Sequence, residues 1–207
     1  MLKYNIKAKV LIASFVSVVW FFGMIFAFWF FQFKNLRQFS ENPELGLNSK
    51  TILSNFNSSE IKNSIRKMNA SAVVINFIDP ECYCSKFTLQ HVKKIQNKYS
   101  HDKIIFTDAY RDAGEKGNFI AKNNMESSEL YSVIRSIINL SDLPATPAVA
   151  VFDGEGNLAY FGPYSDDAFC GTSDGFLDNS IKKILAGQNY RDVNMLAYGC
   201  FCESKML

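Results

Sequence analysis

The chain has 207 residues and a net charge of +2, so it carries no broad basic field of the kind that binds nucleic acid. About 170 residues remain once an apolar N-terminal segment is set aside, which suits one domain around one core. Five cysteines and 19 phenylalanines are the compositional signals, and many of the phenylalanines fall within the first 33 positions.

Val10–Phe31 is apolar apart from Ser14, Ser17 and Gly23. At about 1.5 Å per residue it spans roughly 33 Å, enough for a hydrocarbon core. Lys3, Lys7 and Lys9 precede it, and Lys34 and Arg37 follow. That slight excess of cations ahead of the segment favours an N-terminus inside the cell. A cleaved signal peptide has a shorter apolar core and a small-x-small cleavage site. Here the segment ends in the bulky Ala27-Phe28-Trp29-Phe30-Phe31. Residues 1–34 therefore read as a cytoplasmic stub and a membrane-spanning signal-anchor in contact with lipid, with the domain on the extracytoplasmic, periplasmic side.

Residues 35–56 are polar and without period, and read as a tether. The domain is expected over 57–187. Asn57, with Glu60 three residues on, is a capping-box-like helix start, and Ile61, Ile65 and Met68 recur at helical spacing. Ala72–Ile78 is a β-branched apolar run that reads as a buried central strand, stopped by Pro80. A helix is expected from Ser85 to Tyr99, with Thr88, Val92, Ile95 and Tyr99 on one stripe. His91 is expected on its solvent side, about 10 Å along the helix from Cys84. Lys103–Thr107 reads as a second strand, Ser128–Ile138 as a helix and Ala148–Phe152 as a third strand. Asp153-Gly154-Glu155-Gly156 is turn chemistry leading into a hairpin with Leu158–Phe161. A last helix runs from Gly175 to Leu185 and ends at Gly187. Asp166-Asp167 and Lys182-Lys183 read as solvated surface. Residues 188–207 form a tail. The order, one helix followed by β-α-β-α-β-β-α, predicts an α/β fold with a mixed sheet flanked by helices.

The cysteines are Cys82, Cys84, Cys170, Cys200 and Cys202: two Cys-x-Cys pairs and a single. Disulfides are permitted outside the cytoplasm. Cys82 and Cys84 stand where a strand turns into a helix. Unsatisfied backbone N–H groups and the positive end of the helix dipole stabilise thiolate there. Cys82, further out, is expected to attack, and Cys84 to resolve. A bond between them would close a tight, readily reduced ring. Cys170 falls in the loop leaving the same end of the sheet. Residues 188–199 are long enough, at roughly 36 Å, to bring Cys200 and Cys202 back to that end. Convergence of these sulfurs would give either a disulfide relay or a thiolate site for zinc or copper(I) made by Cys82, Cys84, Cys200 and Cys202. Static bridges in a non-catalytic interaction domain are the third possibility.

That order, with Cys82-x-Cys84 after the first strand and Thr146-Pro147 before the third, resembles the thioredoxin superfamily over about residues 57–187. Gly199-Cys200-Phe201-Cys202 adds a resemblance to a bacterial membrane-anchored thioredoxin-like family with a Cys-x-Cys centre and this C-terminal motif, for which no activity is established. The resemblance implies a cis Pro147 facing Cys82 and Cys84. It also implies redox exchange with protein thiols and disulfides of the cell envelope, without a cofactor. Three departures put ordinary thioredoxin activity in doubt. One residue, not two, separates the cysteines. Glu81 precedes Cys82. Asn76 stands where thioredoxins carry a buried Asp that assists proton transfer.

Overall fold

The computed structural model describes residues 2–33, 36–40, 52–111, 119–121, 128–138, 143–165 and 175–203. By internal contacts the chain divides into two units, Met1–Leu36 and Arg37–Leu207.

The first unit is the helix α1 (Leu2–Phe33). Within it, Ala8–Phe30 has a mean hydropathy of 2.4 and is long and apolar enough to cross a membrane. Its large side chains, such as Phe15 and Trp20, stand exposed.

The second unit is a mixed α/β domain. Among the described residues its main sheet has six strands in the order β4 (Phe119–Ala121), β3 (Ile104–Arg111), β2 (Ala72–Ile78), β6 (Ala148–Asp153), β7 (Leu158–Gly162) and β8 (Asp192–Val193). β2 pairs parallel with β3 and antiparallel with β6, and β6 runs antiparallel to β7. The remaining strands are short: β1 (Leu36–Gln38), β5 (Ala145–Thr146), β9 (Tyr198–Cys200) and β10 (Cys202–Glu203). The helices are α2 (residues 52–56), α3 (Ser59–Lys67), α4 (Tyr83–Lys98), α5 (Ser128–Ile137) and α6 (Phe176–Leu185).

All seven residues of β2 are buried, as a run that is apolar except for Asn76 requires of a strand covered on both faces. The two-residue period divides them. Val73, Ile75 and Phe77 face one core, with Ile61 and Ile65 of α3 and Leu130 and Ile134 of α5. Val74 faces the other, with Val92 and Ile95 of α4 and Leu177 and Ile181 of α6.

Several expectations shift in detail. Asn57 does not cap α3: Ser58 does, its hydroxyl accepting from the Ile61 N–H at 3.4 Å. The polar stretch 35–56 contains Phe39, Ile52 and Phe56, all at most 1% exposed and packed into the first core. Too few apolar residues occur in that stretch to show a period, yet these three are buried. The 153–157 turn forms as its composition requires. The Asp153 carboxylate accepts from the N–H groups of Glu155 and Asn157 at 3.0 and 2.8 Å. Gly156 sits at φ +76° with Lys62 Cα 2.7 Å from where a Cβ would stand, so only glycine fits without displacing α3. Lys182 is not merely solvated surface, because its ammonium lies 2.7 Å from the buried Asp178 carboxylate. Lys183 stands over the Tyr190 ring at 3.9 Å. Asp166, Asp167 and Cys170 lie outside the described residues.

Candidate functional site

β2 delivers its chain to a tight turn at Asp79–Cys82. The Cys82 N–H donates to the Asp79 carbonyl at 3.0 Å, and the Glu81 N–H to the Asp79 carboxylate at 2.9 Å. Cys82 is the N-cap of α4, in extended backbone and with no side-chain cap bond. Cys84 lies in the first helical turn, because α4 starts at Tyr83, two residues before the expected Ser85. Both are buried, at 3% and 0% exposure.

The tail returns to them. After α6 the chain lays β8 beside β7, and the Asn194 N–H donates to the Phe161 carbonyl at 2.9 Å. The carbonyls of Met195 and Ala197 accept from the N–H groups of Ser40 and Phe39. Phe201 then turns into the core against Phe39, ring centroids 5.2 Å apart. Gly199 makes room for that ring, since a Cβ there would meet Phe201 Cζ at 2.8 Å. Finally β10 pairs antiparallel with β5, setting Cys202 opposite Thr146 and Glu203 opposite Ala145.

That register decides the sulfur pairing. The Thr146 carbonyl oxygen lies 3.6 Å from Cys82 Sγ, so Cys202, opposite Thr146, arrives beside Cys82. Cys82 is bonded to Cys202 and Cys84 to Cys200, with Cα–Cα distances of 5.9 and 5.6 Å. A bond between Cys82 and Cys84 is therefore not the one formed. Both cysteines are taken by the tail, and Cys200 and Cys202 are the more exposed partner in each bridge. The Thr146–Pro147 peptide is cis. Pro147 lines a small cleft with Thr88, His91, Tyr164, Ser165, Cys200 and Phe201. His91, expected toward solvent, is buried at 8% exposure. It shares a face with Cys84 and Thr88, and it lines the cleft with Tyr164, Ser165, Cys200 and Phe201.

Beneath the site, Asn76 is fully buried and donates to the Asp108 carboxylate at 2.7 Å. The Tyr164 hydroxyl donates to Asn76 Oδ1 at 2.8 Å, and Tyr110 donates to Asp108 at 3.3 Å. Burial first, then the Asp108 and Tyr110 charges, push the Tyr164 hydroxyl far above its usual pKa. Burial and Asp108 push Tyr110 up to about 12. Both remain neutral donors at ordinary pH. Asn76 is thus not a carboxylate, but it holds one on the neighbouring strand. Asp108 and Tyr164 carry no sequence signal of their own. Asp108 is found only through the β2–β3 register, which sets it opposite Asn76, and Tyr164 only through its hydrogen bond to Asn76.

Next to the bridges, Tyr83 and Phe87 stand exposed one helical turn apart, in edge-to-face contact at 4.9 Å.

Residues 51–204, which include the turn, both bridges and the returning tail, match the family described as "Domain of unknown function (DUF6436)". The chain belongs to this family. Two solved structures are similar to this DUF6436 member. One is a hypothetical protein from Sinorhizobium meliloti 1021, at 16% identity and a TM-score of 0.47, with 68% of this chain and 82% of that one covered. The other is an uncharacterized conserved protein from Geobacillus kaustophilus, at 18% identity and a TM-score of 0.44, with 67% and 78% covered. No curated protein matches the sequence.

Proposed function

We propose that this protein is a membrane-anchored thiol–disulfide exchange protein of the cell envelope, built on a thioredoxin-like fold and held in the membrane by Val10–Phe31. The observation that carries the reading is the crosswise pairing of two disulfides, Cys82–Cys202 and Cys84–Cys200, at the start of one helix. The strand–turn–helix that carries Cys82 and Cys84, with the Thr146 carbonyl beside Cys82, supports the thioredoxin-like assignment. The exposed Tyr83–Phe87 pair supports a protein as the client.

The chemistry follows from exposure and the helix terminus. A client thiolate attacks the sulfur of Cys202, the more exposed end of its bridge. The Cys82–Cys202 bond breaks, and the electron pair leaves on Cys82. The backbone N–H groups at the start of α4 receive the Cys82 thiolate. A second client thiolate then attacks the mixed disulfide at the client sulfur and frees Cys202. The client gains one disulfide, Cys82 and Cys202 become a dithiol, and two protons pass from client to protein. The Cys82 thiolate, two residues from Cys84, can next attack Cys84 and release Cys200. The second bridge is thereby coupled to the first. In the reverse direction, the Cys202 thiolate attacks a client disulfide and Cys82 resolves it.

The test is a mild-reductant titration of the full chain in detergent, read by alkylation, intact mass and peptide mapping. Stepwise opening, with Cys82–Cys202 first, is expected. Cys82→Ser, which removes the resolving thiol, is expected to accumulate mixed disulfides at Cys202, and Cys202→Ser to accumulate none. A second reading is favoured by the burial of Cys82 and Cys84: two static bridges that staple the tail to the domain. Bridges that resist reductant, with no trapped partner, would establish that reading instead.

A further inference from the structure

Cys82, Cys84 and Cys202 stand as a group with their sulfurs all within 4.8 Å of one another. Cys200 is outside that group and faces the cleft with Thr88 and Tyr164. We infer that, once both bridges are reduced, Cys82, Cys84 and Cys202 form a three-thiolate site for copper(I), with Cys200 excluded.

The spacing suits such an ion. On the scale of a metal–thiolate bond of about 2.3 Å, three sulfurs around a planar three-coordinate ion stand about 4.0 Å apart. Opening the Cys82–Cys202 bond lets those two sulfurs relax apart toward that distance. Cys84 has to close by at most about 0.8 Å, within the reach of a rotamer adjustment. Donor chemistry selects the metal. The group is all sulfur, which favours soft ions, and three ligands suit copper(I), whereas structural zinc closes four. Cys82 and Cys84 are buried and so supply a shell sheltered from water. Cys202, at the more exposed end, supplies the access route. Cys82 caps α4 with no side-chain cap bond of its own, and the backbone N–H groups at that helix start offset thiolate charge.

The step balances as follows. Two equivalents of a dithiol or a phosphine supply two electron pairs, and four thiols form. Binding then breaks three S–H bonds, forms three copper–sulfur bonds and releases three protons to solvent, with copper remaining monovalent. Metal and disulfide therefore exclude each other, and the same sulfurs serve either exchange or copper according to redox state.

The full chain in detergent, reduced with a phosphine and desalted without oxygen, would be titrated with copper(I) against the chromophoric chelator bicinchoninate. One copper per chain is expected, with three sulfurs at about 2.3 Å by X-ray absorption. Cys84→Ser and Cys202→Ser are each expected to weaken binding at least about 100-fold, and Cys200→Ser less than about threefold. All variants are compared reduced, so no loss of a bridge confounds them. Circular dichroism of each confirms the fold. Failure to hold copper against the chelator would overturn the inference. So would copper binding by the oxidised chain, a Cys200→Ser loss equal to that of Cys202→Ser, or a four-sulfur zinc site. Because a phosphine opens the bridges here whatever their role, these results are independent of whether a client exchanges with them.

Discussion

Removing one bridge should cost much less than half of what removing both costs. The two disulfides close nearly the same loop, with sequence separations of 120 and 116. In the chain-entropy description, the first bond to close such a loop is worth about 5 kcal/mol at 25 °C. With Cys84–Cys200 in place, the second bond closes only residues 82–84 against 200–202. A loop of roughly six residues is worth about 2 kcal/mol. Cys82→Ala with Cys202→Ala should therefore cost about 2 kcal/mol, and the four-alanine chain about 7 kcal/mol. The excess over the two separate losses is about 3 kcal/mol, a coupling well above that of independent sites. For a domain of this size, that corresponds to roughly 4–8 °C in Tm for one bridge and roughly 14–28 °C for both. Thermal unfolding of the two paired-alanine chains and the four-alanine chain in one detergent, followed by the tyrosine near-ultraviolet signal, reads it directly. Small cavity costs at each cysteine cancel in the coupling. A four-alanine chain that loses no more than the sum of the two paired variants would refute the nested-loop geometry.

Two further outcomes test the scaffold around the site. Asp178 is buried, and its carboxylate receives Lys98, Lys182 and the Tyr99 hydroxyl at 2.7–2.8 Å. Burial pushes this carboxyl up, but the hydrogen bonds from Lys182, Lys98 and Tyr99 outweigh it and hold it below its ordinary 3.8. Its stabilisation is therefore complete above the unfolded value and lost as pH falls through the lower folded value. Asp178→Asn should cost about 2 kcal/mol near neutrality, discounted for the half-exposed lysines, and the gap to wild type in Tm should shrink steadily below about pH 4. A gap independent of pH would contradict the assignment. Tyr164→Phe leaves the buried Asn76 carbonyl without its 2.8 Å donor and should cost about 1–3 kcal/mol in denaturant unfolding, with both bridges still formed by mass. An unchanged midpoint would refute the network.

The sequence by itself determined what is local. The apolar run fixed α1. The β-branched stretch fixed β2 as a strand buried on both faces. The Asp153–Asn157 turn fixed the hairpin, and Pro80 fixed the break that places Cys82 and Cys84 at a helix start. Each rests on composition or period within a few residues, so no distant contact was needed to read it.

Only the tertiary structure decided what those residues meet. Two identical Cys-x-Cys spacings leave the pairing open. The choice is made by β10 docking on β5, which sets Cys202 opposite Thr146 and so beside Cys82. The same holds for Asn76, whose carboxylate partner is chosen by the β2–β3 register, and for His91, which shares a cleft with Cys200 and Phe201 more than a hundred residues further along. The 35–56 stretch makes the same point: Phe39, Ile52 and Phe56 are too sparse for a pattern, yet the core has a place for each. Contacts between segments far apart in sequence leave no period in either segment, because a partner's position is set by strand register and packing rather than by neighbours along the chain.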